Sequence, residues 1–189
     1  MKNLQVVFLS LLIFVVLKSS AQTTVGEVTM PDLMEVEGEN LVLNGGGIRK
    51  KMFFKVYSCG LYLKEKSKDG NSIVRKNQAM AIKIHVTSSM VTSEKMTEAI
   101  WDGFKISLKG KTDAMKPKID KFVGYFQKEA VEKGDVFDLI YSPEKGVLTY
   151  KNDAYQGSDE GLEFKQALFG IWLSDPPVDE NLKEGMLGG

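Results

Sequence analysis

Histidine and cysteine are nearly missing from this 189-residue chain, which holds one of each. A lone cysteine, Cys59, excludes an internal disulfide and any multi-cysteine zinc or iron–sulfur site. A lone histidine, His85, leaves imidazole metal sites and Ser-His-Asp chemistry resting on one residue. Nor is one sign of charge in excess: 25 Lys+Arg face 25 Asp+Glu, so the basic face of a general nucleic-acid binder is not supplied. Proline is scarce, at 5 residues, and with 43% hydrophobic and 26% charged residues the composition is that of a globular chain. The glycine run Asn44-Gly45-Gly46-Gly47 lacks the spacing of a phosphate loop. No repeat, low-complexity tract or domain-splitting linker interrupts the rest.

What is present begins with a leader. Met1 to Ala21 runs from Lys2 through an apolar stretch, Val6 to Leu17, to the small-residue exit Ser19-Ser20-Ala21, the pattern of a secretory signal peptide. As a retained membrane span it is short, because a span takes about 20 apolar residues. Cleavage after Ala21 removes Lys2 and Lys18, leaving 23 basic against 25 acidic residues and a net charge of −2. The chain is therefore read as exported, periplasmic or secreted, with one domain over 22–189 and its core over about 36–189. In that setting Cys59 is either buried and inert or bridged to another molecule.

Periodicity places the elements of this domain. After the mixed, acidic stretch Val25 to Glu39 and the apolar Leu41-Val42-Leu43, the glycine run reads as a tight turn. Phe53 to Leu63 reads as a long strand with both faces largely apolar, hence covered on both sides. Lys66 to Asn71 reads as a polar turn. Ala79 to Val86 alternates as a strand with one buried and one wetter face. Met96, Ile100 and Phe104 fall at helical spacing over 92–108, with Thr92 or Ser93 as cap. A second helix is expected over about 116–133 and a third from Glu160 to the Pro176-Pro177 stop; a short one follows over 179–187. Val136 to Tyr141 and Gly146 to Tyr150 make a strand pair, which Tyr155-Gln156-Gly157 extends. Strands, helix pair, strands, helices: the class is α+β with a mainly antiparallel sheet covered by helices.

Little in this inventory is overtly catalytic. His85 sits among apolar neighbours without triad or metal spacing and reads as a hydrogen-bonded sheet residue. Arg49 with Lys50-Lys51 is either a solvated basic knot or an anion site; of the three, arginine best holds a carboxylate, through its planar fork. The Met and aromatic stripes read as core that can open into an apolar pocket.

Gly45-Gly46-Gly47-Ile48-Arg49 followed by Phe53 to Leu63, together with Ala167 to Asp179, Leu182 and Leu187-Gly188, resembles the chalcone isomerase-like family, especially its exported bacterial members. The resemblance runs from about Val36 to the end. It implies an open-faced β-sandwich, a curved antiparallel sheet backed by a layer of helices with an apolar ligand cleft between, and no cofactor. Family members are either isomerases that close a flavanone ring or non-catalytic relatives, some binding fatty acids. Arg49 matches the family's arginine. The isomerases' threonine falls on Tyr57, the tyrosine that fatty-acid-binding relatives pair with the arginine, while the other polar positions fall on Ala114, Lys121 and Ala167, with Thr112 nearby. Arg49 and Tyr57 are eight residues apart, about 26 Å when extended, so they meet only if the chain turns back near Lys50-Lys51-Met52.

The expectation is a binding protein for a small amphipathic or acyl ligand whose carboxylate Arg49 and Tyr57 hold. The alternatives are an intramolecular lyase, with Arg49 its one catalytic candidate, and an envelope protein acting through a partner. No metal, nucleic acid or retained membrane span is expected. The oligomeric state is not legible.

Overall fold

The computed structural model describes residues 22–189; residues 1–21, on which the expectation of a secretory leader rests, lie outside the described residues. Its centre is a seven-stranded antiparallel meander. The strands β3 (Leu33–Val36), β4 (Glu39–Lys51), β5 (Phe54–Leu63), β6 (Met80–Val86), β7 (Val136–Ser142), β8 (Gly146–Lys151) and β9 (Ala154–Asp159) lie in sequence order across the sheet. A separate hairpin, β1 (Gln22–Val25) and β2 (Val28–Pro31), precedes it. The helices are α1 (Gly70–Arg75), α2 (Ser93–Ser107), α3 (Lys116–Gly124), α4 (Leu162–Leu173) and α5 (Glu180–Met186). The α+β reading and the curved sheet backed by helices hold.

Alternation along the strands divides the apolar residues between two cores. On the inner face Cys59, Leu61, Ile82, Ile84 and Leu139 meet the helices. On the outer face Val25 and Met30 of the β1–β2 hairpin cover Leu43, Tyr62 and Ala81. This is why both faces of β5 are apolar. The first strands had no legible signal because each is only four residues long. Cys59 is fully buried, and burial pushes its thiol well above the ordinary range.

The glycine run is not a turn, contrary to the sequence reading. Gly45, Gly46 and Gly47 lie inside β4, none at positive φ. What they supply is closeness: a Cβ at Gly45 would stand 2.3 Å from the Gly185 carbonyl oxygen, and one at Gly47 2.9 Å from that of Leu182. Helix α5 thus lies directly on the strand backbone. Asn44 just before is an extra residue, since Leu43 pairs with Tyr62 and Gly45 with Leu61. Its side chain donates to the carbonyls of Ser67 and Met186 and accepts from the Ser67 N–H, stitching β4 to α5.

Two helices also depart from expectation. The polar turn at Lys66 to Asn71 leads into α1, capped by Asp69, whose carboxylate accepts from the Ser72 N–H. Its mere six residues carry too few apolar positions to show a period. The second helix stops at Gly124 rather than near Lys133, because the next N–H groups bond three residues back, Tyr125 to Phe122 and Phe126 to Val123. The apolar stripe continues regardless, with the Phe126 ring stacked 4.9 Å from Phe137 and Val131 buried in the core.

Helix α4 is apolar almost all round and correspondingly buried. Its one charged interior group, Lys165, is fully buried and donates to the carbonyls of Ile73, Val74 and Lys76 at 2.8–2.9 Å, closing the C-terminal end of α1. At the sheet margin Lys118, Lys121 and Lys128 reach from α3 and its following turn to the carbonyls of Glu160, Ser158 and Gln156. No described helix is long and apolar enough to cross a membrane.

Candidate functional site

The hairpin of β4 and β5 builds the site. Arg49 and Tyr57 are direct cross-strand partners; the chain does turn back between them, at Met52-Phe53, with Lys50 and Lys51 still paired inside β4. The Arg49 and Tyr57 side chains share one sheet face. Immediately beyond, Lys50 pairs with Lys55 and Val56 is left as an extra residue, a bulge. Bulges re-aim side chains. Here Val56 and Tyr57, which strict alternation would send to opposite faces, both reach the inner side, where they pack against the main core and line the same cavity.

That cavity, 340 Å³, lies between the sheet and helices α2 and α4. Ile84 and Leu139 of the sheet form one wall, Met96 and Ile100 of α2 another, and Ile171 of α4 a third. Its polar groups are few: Arg49, Lys51, Tyr57, Asp102 and the indole of Trp172. An apolar space with a handful of directed polar groups is the ordinary design of a small-ligand site. Among the described residues no group of three His, Cys, Asp or Glu could hold a metal ion.

The polar groups are organised rather than scattered. Asp179 caps α5 by accepting from the Leu182 N–H at 3.0 Å, and its other oxygen takes Nη1 of Arg49 at 2.8 Å. Burial would raise the Asp179 carboxyl, but the Leu182 N–H and the Arg49 guanidinium outweigh it and hold that carboxyl below its ordinary range. Arg49 Nη1 also donates to the Lys50 carbonyl. Nε and Nη2 have no partner among the described residues, so one edge of the fork is fixed and another remains to donate. Across the strand, Tyr57 Oη accepts from Trp172 Nε1 at 3.1 Å. Burial pushes the Tyr57 hydroxyl well above its ordinary value, so it stays protonated, and its hydrogen has no acceptor among the described residues. Both cross-strand partners therefore present unused donors.

The sequence model of the chalcone isomerase-like family matches residues 22–188. The chain belongs to the chalcone isomerase-like family. Among solved structures, a fatty-acid binding protein of Arabidopsis thaliana superposes with a TM-score of 0.66 at 15% identity, covering 85% of this chain and 92% of that one. Among curated protein sequences none matches.

The residues onto which the resemblance carried the isomerases' other polar groups, and Thr112 near them, lie elsewhere in this chalcone isomerase-like chain. Thr112, Ala114, Lys121 and Ala167 do not line the cavity. Lys121 sits 3.2 Å from Asp159, and Ala167 is buried in the helical core. His85 is also outside, half-buried in β6 with a lowered pKa from burial and from Lys83 nearby. The expected hydrogen bond is missing at Nε2, which has no partner among the described residues. Two residues that matter were not singled out by sequence. Asp179 carried a signal, an Asp directly before a helical stretch. Trp172 carried none beyond its place in an apolar helix.

Proposed function

We propose that the protein is an exported, non-catalytic binder of a fatty acid or similar amphipathic carboxylate. The carrying observation is the pair of unused donors, the Arg49 edge and the Tyr57 hydroxyl, beside each other in a largely apolar cavity. A charged donor at a carboxylate contributes roughly 1.5–3 kcal/mol and a neutral one about 1, while the acyl chain displaces water from the apolar walls. Trp172 matters because, by donating to Tyr57, it leaves the phenolic hydrogen for the ligand. The fatty-acid binding protein of the same fold supports the choice of ligand class, and the Met1–Ala21 leader supports export, with residues 22–189 as the single working domain.

Native mass spectrometry of the purified protein with added dodecanoate, together with displacement of a fluorescent acyl probe, tests this. Arg49→Ala is expected to weaken carboxylate binding about ten- to a hundredfold, and Tyr57→Phe about three- to tenfold. Equal binding by the wild type and both variants would remove the assignment. The same donors would also stabilise a phenolate, as an intramolecular lyase requires. Because neither Thr112 nor Ala114, Lys121 and Ala167, onto which the resemblance carries the isomerases' polar groups, lines the cavity, the expected result with a chalcone is ring closure at the spontaneous rate.

A further inference from the structure

The tip of the β4–β5 hairpin breaks two rules at once. Lys50-Lys51-Met52-Phe53-Phe54-Lys55 are six consecutive exposed residues, and the three apolar ones are 84%, 94% and 54% exposed. Soluble surfaces seldom carry such a run. Met52 also takes φ of +57° in the two-residue turn, where glycine or asparagine is ordinary. A large apolar side chain thus occupies a position that local backbone chemistry would give to a small one. Such local conflicts are expected at functional or strained sites. Nothing in the inner or outer core uses these side chains.

Within the hairpin tip itself the flanking charge is of one sign. Lys50 and Lys51 have no carboxylate within salt-bridge distance among the described residues, and Lys55 meets only the highly exposed Glu27 at 3.5 Å. The 87–92 loop leaves the sheet at the same end, since the Thr87 N–H bonds the Val56 carbonyl, and it adds the half-exposed Met90. Aromatic and thioether side chains ringed by lysines match a surface that is anionic outside and apolar just beneath.

We infer that the Met52-Phe53-Phe54 tip, with Lys50, Lys51 and Lys55, docks the protein on an anionic lipid bilayer. The apolar residues enter the headgroup–acyl boundary, and the lysines lie at the lipid phosphates. Because Arg49, Lys51 and Val56 at the base of this tip also line the cavity, docking turns the cavity's polar end toward the bilayer.

Burying one phenylalanine ring is worth roughly ten- to a hundredfold in partitioning, and each lysine at an anionic surface about fivefold. Vesicle flotation with the protein recovered from an exporting host measures this, with no acyl ligand added, so that its outcome is independent of what the cavity holds. Flotation is expected with vesicles of equal phosphatidylcholine and phosphatidylglycerol, falling with added salt and with phosphatidylcholine alone. Phe53→Ser is expected to lower partitioning at least tenfold and Lys50→Glu more than fivefold. A Phe53→Trp variant gives a second reading: its emission should shift to the blue on adding anionic vesicles. Absence of flotation with anionic vesicles, flotation undiminished in Phe53→Ser, or a tip consumed instead by self-association that Phe53→Ser abolishes, would each overturn the inference.

Discussion

Lys165 offers a measurement that separates burial from hydrogen bonding. Burial pulls its ammonium down to about 8 from an ordinary 10.5, although three carbonyls receive its protons. Between these values the unfolded chain holds more protons than the folded one, so the burial cost is fully present below about pH 8 and is relieved as pH rises toward 10.5. At about 1.4 kcal/mol per unit the full cost is roughly 3 kcal/mol, of which about 2 kcal/mol is relieved between pH 7 and 9.5. Cys59 works in the opposite sense, because its thiol ionises only after unfolding. The informative quantity is therefore a difference, in which the cysteine cancels. Urea unfolding of wild type and Lys165→Met at pH 7, 8.5 and 9.5 should show wild type gaining about 2 kcal/mol on the variant across the series. A constant difference, or one that moves the other way, refutes the account and puts the carbonyl cage in control of the charge.

Close approach at β4 and the α5 cap are testable in the same way. Gly45→Ala drives a Cβ into the Gly185 carbonyl and should cost about 1–3 kcal/mol or more, a fall of some degrees in Tm. Gly124→Ala, with open space around it, should be neutral or stabilising by up to about 1 kcal/mol; equal losses in a melting scan would undo the distinction. Asp179→Asn retains a good helix cap but deletes the Arg49 pair. Because the folded Asp179 carboxyl is held below its ordinary 3.8, the stability it contributes is present above that pH and is lost as pH falls from there through the lower folded value. Acid unfolding of the variant should accordingly be less steep than that of wild type.

Much of this molecule was legible, and the exceptions share a cause. Strands β5 to β8 and helix α2 appear because their period is repeated often enough to stand out, and Phe104 and Leu61 fill the interior as their spacing requires. The glycine run misled because glycine serves two ends, positive φ and close contact, and a sequence does not say which. Only the position of α5, 140 residues away, decides it. The same holds at the site: Arg49 and Tyr57 were visible as residue types, whereas the bulge that brings Val56 in beside the tyrosine and the Trp172 and Asp179 bonds that orient both are products of tertiary packing.

An unclosed sheet of seven strands keeps two free margins, and each is a template on which another chain could add a strand. Along β9 Lys128 and Lys121 already occupy the carbonyls of Gln156 and Ser158, and Lys118 that of Glu160 just past the strand's end. An incoming strand would have to strip three ammonium groups from those oxygens and then lie beside their charge. The row of lysines thus acts as a guard against polymerisation, letting a protein with an open sheet be concentrated without its copies knitting together along that border.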